Sequence, residues 1–187
     1  MKTIKIKKAT LLLVSGFLMM SLIGNSQDTK LSRQERKEVK KAQLVKDYYT
    51  LDSLLQIRSF VLEADFLQDK YGTRIPVHSD LNFLKVDVEK GILQTGASFG
   101  LGYNGFGGLT TEGKISFYEI TRDRKRHSYT VHFDLLTNMG HYDIFMTVTS
   151  NNHASATISG FGRGRLTWLG RLESIGNSRV YKGQNTI

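Results

Sequence analysis

The feature that most constrains this chain is a two-residue alternation of apolar and polar side chains that starts after Ile57. It is clearest where Tyr129, Val131, Phe133 and Leu135 interleave with Thr130, His132 and Asp134, and it repeats at Tyr142, Ile144, Met146 and Val148. Successive strand residues point to opposite faces, so such a stretch reads as a strand with one buried face. The same period runs through Phe60, Leu62, Ala64 and Phe66, then Leu84, Val86 and Val88, then Ile115 and Phe117. Ala154–Gly160 and Leu166–Leu172 complete about eight strands bounded by Gly, Asn or charged turns.

One hairpin can be registered from the pattern. Thr137-Asn138-Met139-Gly140 makes the turn, which sets Leu135 on Tyr142, Phe133 on Ile144 and Val131 on Met146. A slip of one residue would put Leu135 against Asp143 and bury polar groups. Short turns favour an antiparallel meander, because parallel crossovers need a dozen residues or more. The fold class is therefore mainly β, a barrel or a two-sheet sandwich, preceded by one N-terminal helix. The single proline, Pro76, falls in the connection from Tyr71 to Asp80, where it interrupts no ladder.

Leu31–Gln56 reads as that helix. Ser32 and Glu35 have capping-box spacing, the first half is densely charged, and the second half carries a stripe at Leu44, Tyr48, Leu51 and Leu55. Only the second half has a face to bury, so the first is expected to be a solvated arm, with assembly through residues 30–43 as one possible use.

Ahead of the helix, Met1–Lys8 carries four lysines and no acid, Ala9–Ile23 is apolar or small, and Gly24-Asn25-Ser26 precedes a polar segment. That pattern is a secretory signal, and it is shorter than the ~20 residues a spanning helix needs. The predicted organisation is a signal peptide at 1–26, a charged helix or arm at 27–56 and an antiparallel β domain at 57–187. Four of the 26 basic residues and none of the 17 acidic ones lie in the leader, so the net charge of +9 falls to +5 in the mature chain. A charge that small is no nucleic-acid footprint. The chain has no cysteine, which excludes disulfides, thiolate catalysis and a lipidated N-terminus. The expected location is periplasmic or secreted, with no transmembrane anchor after cleavage.

Candidate chemistry is sparse. Gly96-Ala97-Ser98-Phe99-Gly100 spells a nucleophile elbow, and Gly100-Leu101-Gly102-Tyr103-Asn104-Gly105 a phosphate loop. Both motifs work only at a strand-to-helix turn, and no helix follows here, so the stretch to Gly113 reads as turns. Arg122–His127 is a basic hairpin tip without interleaved aromatics, which reads as a guarded strand end. Phe99-Gly100-Leu101-Gly102 and Phe161-Gly162-Arg163-Gly164 echo each other too briefly to be a repeat. The registered hairpin gathers His132, Asp134, His141 and Asp143 on one face, with Asp134 opposite Asp143. Two imidazoles and two carboxylates can hold a divalent cation or run acid–base chemistry, although the alternation marks that face as solvent-facing.

Ser59-Phe60-Val61-Leu62-Glu63-Ala64-Asp65, Ser98-Phe99-Gly100-Leu101-Gly102-Tyr103, and Gly107-Gly108 before Glu112-Gly113-Lys114-Ile115 resemble an exported family of gut-type Bacteroidota, domain-of-unknown-function family 4251. The likeness runs from the helix through the last strands. Many relatives are lipoproteins, whereas this chain lacks the cysteine, and Leu101 stands where a basic residue is expected. The resemblance implies an export compartment and a β-rich domain, and it adds no site.

The combined expectation is an exported, non-catalytic β domain with no cofactor. It would bind a small apolar ligand or an envelope partner on its surface, and in a barrel Phe117, Tyr129, Phe133 and Tyr142 would line the interior or simply fill it, a filled core being the commoner case. The alternative is a metal-assisted hydrolase built on His132, Asp134, His141 and Asp143.

Overall fold

The structure, a computed structural model, describes residues 32–96, 108–161 and 164–186. The leader at 1–26, Ser98, the Gly100–Gly105 run and the Gly162-Arg163 pair lie outside the described residues. The chain divides into two compact units, residues 1–38 and 39–187. Helix α1 (Arg33–Gln56) runs through both spans. It opens with the expected capping box: the Glu35 amide donates to Ser32 Oγ at 3.2 Å, and the Ser32 amide donates to Glu35 Oε2 at 2.7 Å. Farther along α1, Leu51 and Leu55 are fully buried in the core of the second unit, with Tyr48 and Leu54 packed against it. The helix ends where the Ile57 amide bonds the Ser53 carbonyl and Arg58 takes a φ of 55°.

Nine strands follow: β1 (Ser59–Gln68), β2 (Arg74–Pro76), β3 (Phe83–Asp87), β4 (Lys90–Thr95), β5 (Leu109–Asp123), β6 (Ser128–Thr137), β7 (Gly140–Thr149), β8 (His153–Phe161) and β9 (Gly164–Glu173). Strands β3 to β9 form a meander of antiparallel neighbours, and β1 pairs with both β3 and β9. Eight strands therefore close into a barrel, which settles the choice against a sandwich. The short β2 adds to the far end of β1 through Phe66 to Gln68, and Pro76 ends that edge strand. The β6–β7 register is the one the alternation pins, with Leu135 on Tyr142, Phe133 on Ile144 and Asp134 on Asp143.

The interior is packed with side chains. Phe60, Leu62, Leu84, Val86, Leu93, Val131 and Ile144 are all buried, and an eight-stranded barrel leaves space for little else. Where β1 meets β9, small residues dominate: Ala64 faces Gly170, and Gly170 faces Ala154. The next inward row sets Leu67 and Ala156 on either side of Trp168, whose indole occupies the room the small residues leave.

Three apolar side chains break the expected alternation, each for a local reason. A bulge between Ala64 and Phe66 turns Phe66 outward and Leu67 inward. A second bulge, between Ile115 and Phe117, buries Ile115 but leaves Phe117 outside and 42% exposed, so Phe117 does not line the barrel. Val88 belongs to the β3–β4 turn with a φ of 56° and is exposed.

The segment after β9 has no regular structure, yet it straps the outside of β1, β4 and β5. Ser178 Oγ donates to Glu63 at 2.6 Å, Gln94 Nε2 donates to the Tyr181 carbonyl at 2.8 Å, and the Gly183 amide donates to Gln94 Oε1 at 2.7 Å. The Thr186 amide reaches the Thr110 carbonyl at 2.7 Å. Phe83 points outward between Glu63 and Gln94 but is only 1% exposed, because both neighbours are tied to the strap. Gln94 and Thr110 are buried polar groups that the strap and each other satisfy.

Two outcomes are expected. A Cβ at Gly170 would lie 1.8 Å from the Glu63 carbonyl oxygen, so Gly170→Ala should cost about 3 kcal/mol or more, while Gly176→Ala, with open space, should be near neutral in urea unfolding. The Lys182 ammonium bonded to Glu112 holds that carboxyl below the usual carboxylate range. A depressed folded pKa contributes stability that is present above the unfolded value and lost as pH falls through the folded one. The stability gap between wild type and Glu112→Gln should therefore shrink as unfolding is measured at pH values falling below about 4.

Candidate functional site

Three of the four side chains expected inside the barrel are there. Tyr129, Phe133 and Tyr142 are at most 3% exposed and belong to the one core cluster. Their rings pack against the other buried side chains of that cluster. The sequence reading did not single out Trp168, which is fully buried and whose Nε1 has no hydrogen-bond partner among the described residues. An unmet buried donor of this kind costs about 1–3 kcal/mol. The available signal was its place as the chain's one tryptophan on the alternating Leu166–Leu172 strand.

The end of α1 is fixed to the barrel by aromatic and ionic contacts. Tyr48 stacks on Tyr129 with ring centroids 5.1 Å apart and meets His127 edge-on at 5.7 Å. Asp52 pairs with Arg122 of β5. The Tyr118 hydroxyl donates to the Leu55 carbonyl at 2.9 Å, satisfying one of the acceptors that a helix C-terminus leaves open. The Arg58 guanidinium lies 4.7 Å from the centre of the Tyr118 ring. Burial pushes the Tyr118 and Tyr129 phenols up from their ordinary range.

Beside these contacts lies an open groove of about 310 Å³, walled by Leu44, Val45, Tyr48 and Tyr49 of α1 and by His127 of the β5–β6 turn, with Lys41 at its rim. Val45 is 47% and Tyr49 68% exposed, so apolar surface faces solvent here. The helical stripe at Leu44 and Tyr48 foretold one wall; the turn that supplies the other is not encoded in local periodicity. The basic tip itself is organised by Asp123, whose carboxylate accepts the Lys125 and Arg126 amides at 2.9 and 3.0 Å.

The predicted polar quartet is brought together on the outer face of the β6–β7 hairpin. His132 Nε2 lies 2.7 Å from Asp143 Oδ1, and His141 Nε2 lies 3.1 Å from Asp134 Oδ1. His132, Asp134 and Asp143 each offer a ligand atom within 4.8 Å of the others. Phe117 meets the His132 ring edge-on at 5.1 Å, and Phe145 packs against it at 5.9 Å.

Removing the Tyr118 hydroxyl in Tyr118→Phe should cost about 0.5–1.5 kcal/mol, the net worth of one hydrogen bond, because the Leu55 carbonyl keeps the Arg58 amide as a donor. In the wild type, phenols whose folded pKa is raised give stability that is intact below the unfolded value near 10 and lost as pH rises beyond it. Denaturant melts from pH 8 to 11 should show that loss, and Tyr118→Phe should flatten part of it.

Residues 42–172 match the family model described as a domain of unknown function, DUF4251. The chain is also similar to a solved structure, the crystal structure of a DUF4251 family protein from Bacteroides eggerthii, at 28% identity over 73% of this chain and 94% of that one, with a TM-score of 0.61. No curated protein matches. The matched span runs from the tenth residue of α1 to the penultimate residue of β9, taking in all but the last residue of the barrel strands, and the chain therefore belongs to the DUF4251 family.

Proposed function

We propose that this protein is an exported, non-catalytic binding domain that takes a small apolar molecule with an anionic head group in the groove between α1 and the β5–β6 turn. The observation that carries the reading is an apolar concavity left open on the outside of the barrel, with exposed Val45 and Tyr49 in its walls. The groove's volume is within the range of small-molecule sites. Its walls are leucine, valine and tyrosine, and Lys41 at the rim supplies a positive charge for an acidic head. Export rests on the leader-like segment at 1–26.

An envelope protein is the second reading. It is favoured by the exposure of Val39, which extends apolar surface beyond the groove. A hydrolase on the β6–β7 face has less support, because that face is the outside of a barrel and the Asp143 and His141 side chains there are more than half exposed to water.

Dodecanoate is a suitable probe. Titrated into the mature protein and followed by tyrosine fluorescence and calorimetry, it should bind with one-to-one stoichiometry. Val45→Asp, at an exposed position, should weaken binding at least tenfold without altering the melting temperature. Failure of dodecanoate to bind, or equal binding by Val45→Asp, would reject the groove as a small-molecule site. N-terminal sequencing of protein recovered from the periplasm should begin near Gln27; an intact Met1 in that fraction would reject the cleaved leader.

A further inference from the structure

We infer that the outer face of the β6–β7 hairpin is a divalent transition-metal site, with His132, Asp134 and Asp143 as ligands and His141 paired to Asp134 beside them. The sequence repeats itself here: His132-Phe133-Asp134 on β6 and His141-Tyr142-Asp143 on β7 each place an aromatic inward and a His/Asp pair outward. Antiparallel pairing sets Asp134 directly opposite Asp143 and puts each histidine diagonal to the other strand's aspartate.

The electrostatics favour a cation. Two carboxylates face each other across the strands, and Glu119 of β5 stands opposite His132 on the same outward row. Like charges in that relation are unfavourable, and a divalent ion between them turns the repulsion into attraction. The face is locally acidic although the whole chain is basic, with a net charge of +9. The nearest cation by register is Lys114 of β5, opposite Leu136 and so diagonal to Asp134, and against it the face sets three carboxylates, Asp134, Asp143 and Glu119.

Geometry sets the class of ion. A tetrahedral metal with bonds of about 2.0–2.2 Å holds its donors roughly 3.4 Å apart. The three donors here already lie within 4.8 Å of one another, so small side-chain rotations suffice. The Nε2 atoms of both histidines are turned toward the carboxylates, and a metal would take the place of the proton shared between His132 and Asp143. Phe117 and Phe145 flank the His132 ring and restrict it to this orientation. Mixed imidazole and carboxylate donors suit zinc, copper or nickel, whereas calcium requires six to eight oxygens.

The competing account is a pair of plain surface His–Asp contacts. Chelator-treated protein titrated with ZnCl₂ distinguishes them. One zinc should bind per chain by calorimetry, and at a hundredfold excess over Kd the melting temperature should rise by about 5 °C. Asp134→Asn with Asp143→Asn should abolish both effects while keeping the β-rich circular dichroism. If that variant does not fold, His132→Gln with His141→Gln makes the same comparison. An unmoved melting temperature, an equal rise in the folded variant, or a rise with CaCl₂ alone would overturn the site. The readout is independent of dodecanoate binding at α1.

Discussion

Closure between β1 and β9 is the constraint on which the rest of this molecule depends. An open eight-stranded meander would leave two edges with unpaired backbone groups, and pairing the first long strand with the last removes both. The approach is close enough that only glycine fits at position 170, where the Glu63 carbonyl occupies the space a Cβ would need. The same small-residue row, Ala64, Gly170 and Ala154, makes room for Trp168 one row farther along the barrel. Backbone closure and the filling of the core are thus one solution, not two.

Much of this was legible in the residues. The β6–β7 hairpin could be registered to the residue because both strands run without a bulge, so one period-two pattern holds from Tyr129 to Leu135 and from Tyr142 to Val148. The helix could be placed because its cap and its stripe agree. Phe66 and Phe117 were misassigned for the opposite reason: a bulge adds one residue and reverses inside and outside for everything beyond it, while leaving local composition untouched. The terminal strap was illegible because it holds by polar contacts from Ser178 to Thr186 with strands far away in sequence, which no periodicity announces. Gln94, polar and fully buried, is the residue whose role only the tertiary structure explains.

The candidate sites divide in the same way. The His/Asp quartet followed directly from a correct register, so its members and their diagonal pairing could be read in advance. The groove could not, because it depends on where the end of a helix meets the turn between β5 and β6. Its helical wall is a sequence property, but the wall formed by His127 depends on the tertiary contact that sets the β5–β6 turn against Tyr48.

The β5 bulge links fold to chemistry. Had the alternation continued unbroken from Ile115, Phe117 would have joined the core and the His132 ring would have lost one of its two aromatic flanks. Keeping a phenylalanine 42% exposed forgoes a little under half of the roughly 1.5–3 kcal/mol that its full burial would be worth. What the exposed ring does contact is an imidazole already held against a carboxylate. A bulge that spends an aromatic on ordering one histidine on the outer face is easier to understand as support for a site than as an accident of strand pairing.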